Sequence, residues 1–237
     1  MLMLLIETAT RVCSVAIAHD GNVVAQRCST EANAHSSQLT MFIDSMLHEL
    51  NLQPHQLDAV CVSEGPGSYT GLRIGVSTAK GLCFALEVPL FAVSTLMSMA
   101  SLYYAKHPDY TGLVCPMVDA RRMECYTMIV GRAEQESERD VVVLRETKAE
   151  VIESNTYDQW MNDNKMVFIG DGASKTKSLL GGNPNVIYDD GFVLSAEGMV
   201  SEGMRKWREG EKEDVAYFEP FYLKNFIAKK SVVHGLR

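Results

Sequence analysis

The segment EGPGSYTGLRIGVSTAKG, residues 64–81, sets glycines, a proline and hydroxyl side chains ahead of a helix-like run, the raw material of a phosphate-binding loop. Spacing decides whether it is one. A P-loop closes on Gly-Lys-Ser or Gly-Lys-Thr, and no glycine here precedes such a pair at the required interval. The dinucleotide fingerprint G-x-G-x-x-G, counted from Gly65, needs glycine at position 70; Thr70 stands there and Gly71 comes one residue late. What survives is a turn, Gly65-Pro66-Gly67, with Ser68 and Thr70 as N-cap candidates for a helix over about 71–86. The free N–H groups of such a helix start attract anions. The same residues also read as a tight strand-to-helix turn.

Other reactive side chains are scattered. Cys13, Cys28, Cys61, Cys83, Cys115 and Cys125 form no C-x-x-C and mostly sit in apolar, strand-like runs, as buried free thiols of a reducing compartment do. Neither H-E-x-x-H nor H-x-x-x-H occurs: Leu39 stands four residues after His35, and His48 and His55 lie too far along to complete the pair. No resident metal or cofactor is expected, and no Ser-His-Asp set can be picked out.

The elements that would position these residues follow from periodicity. A chain of 237 residues has room for one large domain or two small ones, and 46% hydrophobic content suffices for a core. No apolar run approaches the ~18 residues of a membrane span, and MLMLLIETATR lacks the basic start of a secretory signal, so a cytoplasmic location is expected. A net charge of −8 argues against a stand-alone nucleic-acid binder, although residues 219–237 carry Lys224, Lys229, Lys230 and Arg237 against Glu219 alone.

Apolar runs at 3–8 and 12–18, the turn Asp20-Gly21 and NVVAQRC predict three strands. SSQLTMFIDSMLHEL sets Leu39, Phe42, Ile43, Met46, Leu47 and Leu50 on one helical face. The strand LDAVCVS, the helix over 71–86, the strand LFAVS and a helix capped by Ser94 follow. A second start appears at LVCPMVDARRMECYTMIVG, with strands at 113–119 and 124–130, an acidic loop (Glu134, Glu136, Glu138) and the strand DVVVLRE. A helix near 149–162, the strand MVFIG, the turn DGAS and a helix near 195–209 complete the chain. The order reads as a weak internal repeat of the α/β class, with mixed sheets flanked by helices and subdomains at 1–106 and 107–237.

Two copies of a three-strand start with helices resemble the plan of the actin-like, sugar-kinase and Hsp70-like ATPases, with their ribonuclease H-like subdomains. In that superfamily the first hairpin brings an aspartate and glycines to Mg²⁺ and phosphate. Glu7-Thr8-Ala9-Thr10 stands at that place here; Glu7 could serve a metal, but Ala9 fills a place where close backbone approach favours glycine. In the second hairpin Asp119 is followed by Ala120-Arg121-Arg122, and two arginines there could clamp a phosphate or pair with acids across a cleft. Gly170 and Gly172 of GDGAS would contact an adenosine or only form a turn. Glu7, Thr8, Thr10, Asp119, Arg121, Gly170 and Gly172 are thus the candidate contacts of a degraded nucleotide site.

LLIETAT…CSVAI, AHSSQL, GPGSYTGLRIG and VDARRMECY together resemble the TsaB (YeaZ) family, from Leu4 to about Lys224. The family usually has Asp where this chain has Glu7, a departure that weakens any ATP site. The resemblance implies a non-catalytic relative of TsaD, the subunit that transfers a threonylcarbamoyl group to the adenosine 3′ of the anticodon in certain tRNAs. It implies a heterodimer with TsaD, joined by the ATPase TsaE, contact with tRNA only through that complex, and self-association when TsaD is absent. TsaD-type proteins hold a metal with H-x-x-x-H, which the His35–Leu39 spacing does not supply. Gly71, Gly75 and Ala79 form a small-residue stripe at i, i+4 and i+8 that lets another backbone approach. The helices carrying Leu39, Phe42 and Met46 and Gly71, Arg73, Ile74, Gly75, Ser77 and Thr78 would then form the docking surface; the stripe could equally pack on its own sheet. A small-molecule kinase of the same fold, and behind it a glycoprotease-like metallopeptidase, are the competing readings.

Overall fold

In the computed structural model, which describes residues 1–31, 33–133 and 141–224, the apolar runs LMLLIE and CSVAIAH become strands β1 (Leu2–Glu7) and β2 (Cys13–His19). Their pairing register, Leu2 opposite His19 and Glu7 opposite Ser14, leaves 8–12 as an open turn. Asp20 and Gly21, at φ 48° and 81°, then turn the chain into β3 (Asn22–Ser29). Helices α1 (Ala34–Ser37) and α2 (Leu39–Glu49) follow, then β4 (Ala59–Gly65), α3 (Tyr69–Leu86), β5 (Leu90–Ser94) and α4 (Thr95–Lys106). The second half contains β6 (Leu113–Asp119), β7 (Glu124–Arg132), β8 (Val141–Val151), α5 (Asp158–Met161), β9 (Met166–Ile169), α6 (Lys177–Leu180), β10 (Val186–Asp189) and α7 (Val200–Glu209), with a 3-10 turn at Ala196–Met199.

The repeat is realised as one topology used twice. The first sheet has the order β3-β2-β1-β4-β5 and the second, read from its opposite edge, β8-β7-β6-β9-β10. In each, the first three strands are antiparallel and the last two run parallel to the first. Parallel neighbours need crossovers, and the helix-bearing connections supply them.

Alternate residues of β1 face opposite sides. Leu4 and Ile6 pack with Ile43, Met46, Val76 and Ala79 beneath α2 and α3. Met3 and Leu5 pack on the other face with Phe91, Ala196 and Met199. Helix α4 follows a strand of the first sheet, yet Leu96, Met99, Ala100, Tyr103 and Tyr104 join Val114, Val118, Val167 and Ile169 of the second. The segment from Ala196 through α7 returns to the first sheet, where Trp207 meets Phe91 edge-on with ring centroids 5.9 Å apart. A division at 106/107 separates the sheets but assigns α7 away from the sheet it covers.

Three expected elements differ. The helix near 149–162 is a helix only at Asp158–Met161, because β8 continues to Val151 opposite Glu124 and holds 149–151 extended. The helix over 36–50 breaks at Gln38 into α1 and α2. Helix α3 starts at Tyr69 with Ser68 as its cap, its hydroxyl accepting from the Gly71 amide at 3.2 Å, so Thr70 lies inside the first turn. The acidic loop of Glu134, Glu136 and Glu138, and Lys229, Lys230 and Arg237 of the basic tail, lie outside the described residues.

Candidate functional site

The ends of β1, β4 and β6 open onto one cleft of about 1010 Å³ between the lobes. One wall is the turn Ala9–Arg11 with Pro66–Thr70 at the start of α3; the other is the hairpin tip Val118–Arg122. The segment Phe221–Lys224 closes a side. That segment is tied to the first lobe by Phe221 N–H donating to the Glu64 carbonyl (2.7 Å) and by the Tyr69 and Tyr222 rings, 4.9 Å apart. Lys224 pairs with Glu124 of the second lobe.

The candidate residues divide into three groups. Thr10, Asp119 and Arg121 line the cleft. Glu7 and Thr8 do not: both are fully buried behind the turn. Glu7 accepts the Ala9 amide on Oε1 (2.7 Å), while its Oε2 and the Thr8 hydroxyl have no hydrogen-bond partner among the described residues. Burial pushes the Glu7 carboxyl up to about 7, the Ala9 amide opposing it. Gly170 and Gly172 pack on the β6 backbone at Met117 and Val118 rather than facing the cleft; Asp171 between them faces it. Glu7, Thr8, Gly170 and Gly172 thus do not line the cleft, the first two because they are buried and the glycines because they pack against Met117 and Val118.

The two hairpins spend their polar groups internally. Ser68 N–H donates to the Ala9 carbonyl at 2.6 Å, closing the gap between the first hairpin and α3. Asp119 N–H donates to Asp171 Oδ1 (2.9 Å) and Arg121 N–H to Asp119 Oδ1 (2.8 Å). Lys175 Nζ sits 2.5 Å from Asp119. Burial raises the Asp119 carboxyl, but Lys175 and the Arg121 amide outweigh it and hold it below the ordinary value. Asp171 is raised, chiefly by burial. Arg11 carries no sequence signal of its own, and Lys175 joins the site only through its pairing with Asp119.

The docking candidates also divide. Gly71 and Gly75 are buried, and a Cβ on either would collide with Thr8, through its carbonyl oxygen at Gly71 and its hydroxyl at Gly75. Leu39 and Met46 lie in the core of the first lobe. These four cannot meet a partner. Arg73 and Ser77 are exposed, and Phe42, Ile74 and Thr78 half-buried. Sequence reasoning missed Phe84, 83% exposed on α3, and Met41, 66% exposed on α2. Among the described residues no group of three His, Cys, Asp or Glu is disposed to hold a metal ion, and no described helix is long and apolar enough to cross a membrane. Five of the six cysteines are buried and all are free; Cys28 is exposed.

Two ribonuclease H-like sheets of matching topology around an interlobe cleft define the actin-like, Hsp70-like fold class. A family model described as TsaD: tRNA N6-adenosine threonylcarbamoyltransferase matches residues 23–229. The tRNA threonylcarbamoyladenosine biosynthesis protein TsaB of Escherichia coli K12 is 31% identical over 98% of both chains. That of Bacillus subtilis is 30% identical over 94% of both. YeaZ from Pseudomonas aeruginosa superposes with a TM-score of 0.81 at 25% identity, covering 94% of this chain and 99% of its own. The chain belongs to the TsaB (YeaZ) family.

Proposed function

We propose that this chain works in the biosynthesis of threonylcarbamoyladenosine in tRNA, as a non-catalytic partner of TsaD that acts together with TsaE. The family supports the pathway. The observation that carries the non-catalytic part is the self-satisfied cleft. An actin-like phosphotransferase aims the backbone amides of its hairpins at phosphate; here the Glu7, Asp171 and Asp119 carboxylates take the amides of Ala9, Asp119 and Arg121. A ligand phosphate would have to displace them. The outer face of α2 and α3, with Arg73, Ser77, Phe84 and Met41 exposed, is the surface offered to TsaD, or to a second copy when TsaD is absent.

A drop-out reconstitution tests the reading. TsaD, TsaE, the enzyme that makes threonylcarbamoyl-AMP, threonine, bicarbonate, ATP and unmodified tRNA are combined with and without this chain, and the modified nucleoside is measured. The expected result is modification only when both this chain and TsaD are present, and none from this chain with the synthase alone. Equal modification without this chain would overturn it.

A further inference from the structure

The same cleft has a mouth of different character from its interior. Arg11, from the first lobe, and Arg121 and Arg122, from the second, line it at exposed positions. None of the three guanidinium groups has an ion pair or hydrogen bond among the described residues. By contrast Arg27, Arg145 and Arg205 each pair with a carboxylate, and Arg132 donates to backbone carbonyls. Arg121 and Arg122 stand at φ 72° and 54°, consecutive left-handed residues that side chains other than glycine, asparagine and aspartate rarely adopt.

The acids of the cleft are already engaged. Asp119 is paired with Lys175, Glu124 with Lys224, Asp171 with the Asp119 amide, and Glu31 with the Gln38 side-chain amide. The lining carries Arg11, Arg121, Arg122 and Lys224 against Glu31, Asp119, Glu124 and Asp171, so what sets the mouth apart is three exposed guanidinium groups without a hydrogen-bonded partner among the described residues. Tyr126 and Tyr222 add aromatic surface to its walls.

We propose that the cleft mouth binds the phosphates of an RNA strand through Arg11, Arg121 and Arg122. The inference rests on the reading above, which puts tRNA in the assembly. A compact mononucleotide draws its affinity from amides enclosing its phosphates, and here the Ala9, Asp119 and Arg121 amides are already held by carboxylates. Exposed guanidinium groups on both sides of a groove beside aromatic faces suit a repeating phosphodiester backbone, which offers each arginine its own phosphate.

Fluorescence anisotropy of the full chain with a labelled, unstructured RNA oligonucleotide, and separately with unmodified tRNA, tests it between about 50 and about 200 mM salt. Three single-strand contacts at about 0.7 each give a log–log salt slope near −2. The variant carrying Arg11→Gln, Arg121→Asn and Arg122→Asn, the asparagines chosen because they tolerate left-handed backbone, is expected to bind at least about tenfold more weakly at low salt, with most of the slope gone. Its melting temperature is measured alongside; should it unfold, the single variant Arg11→Gln, whose residue lies outside any regular element, is read instead, with a slope smaller by about 0.7. No binding by the wild-type chain at low salt, or binding unchanged in the arginine variants, overturns the proposal. Displacement of the RNA by ATP or ADP at equal phosphate concentration also overturns it, in favour of a mononucleotide pocket. Because this assay uses the chain alone, its failure is separate from failure of the reconstitution.

Discussion

Glu7 stands at the end of the central strand, fully buried, with one carboxylate oxygen lacking a hydrogen-bond partner among the described residues. In the unfolded chain a glutamate ionises near 4.5; in the fold burial raises Glu7 to about 7. Between those values unfolding releases a proton, so the Glu7 contribution is fully favourable below about 4.5, falls as pH rises to about 7 and is flat above. The difference is of order 3 kcal/mol at about 1.4 kcal/mol per pKa unit. Glu7→Gln removes the titration. Urea unfolding at pH 5 and pH 8 should show the variant gaining stability relative to wild type at the higher pH by about 1–3 kcal/mol; a pH-independent difference would mean that Glu7 does not titrate there. Gly75 makes the opposite kind of prediction. A Cβ there would strike the Thr8 hydroxyl, itself buried beside Glu7, so Gly75→Ala should cost about 1–3 kcal/mol despite the higher helix propensity of alanine, read as a lower midpoint at unchanged m-value. The sequence made this stripe legible as a close approach. It could not say to what, because small residues at i, i+4 and i+8 record only that something comes near.

At the scale of the element, α3 has a full inner face, an edge tied to the 216–222 segment through Lys80 and Tyr69, and an exposed side at its C-terminal end. Leu72, Val76, Ala79 and Cys83 are buried, whereas Phe84 is 83% exposed one turn beyond Gly81. An exposed phenylalanine on a helix capped at both ends contributes little to the monomer fold, so a charge there tests assembly rather than folding. Phe84→Asp, alone or with Ser77→Arg, should leave the melting temperature within a few degrees while abolishing co-elution with TsaD and self-association, as seen by size-exclusion chromatography with light scattering. A complex that survives the double variant would put the interface elsewhere. Element types were largely readable because the central strands are continuous apolar runs buried on both faces, while α2 and α3 show period 3.6. The misreading at 149–162 has a physical cause. Val151 belongs to an edge strand whose alternate residues are exposed, so its pattern lacks the continuous apolar run of a buried strand. The Ser68 cap was legible from its place before the helix, whereas the cleft partners Asp119 and Lys175, 56 residues apart, were not.

For the whole molecule, the two lobes are not independent halves. Each sheet is covered on one face by a helix that the chain delivers from the other side of the 106/107 division: α4 from the first half to the second sheet, α7 from the second half to the first. The matching strand orders suggest that either half could fold alone, and the repeat in the sequence suggests it too. The helix exchange argues otherwise. Residues 1–106 alone would leave Met3, Leu5, Phe91 and Val93 without Ala196, Met199 and Trp207, and would expose Leu96, Met99, Tyr103 and Tyr104 of α4. Uncovering two such clusters removes burial worth roughly 1.5–3 kcal/mol for each large side chain, more than the margin on which a small domain stands. Residues 1–106 and 107–237 expressed separately should therefore aggregate or bind ANS without a cooperative melt. Co-expressed, they should associate and recover a single transition, because the exchanged helices restore both faces. A cooperative melt for residues 1–106 on their own would show that α7 is an ornament on the first sheet rather than part of its core.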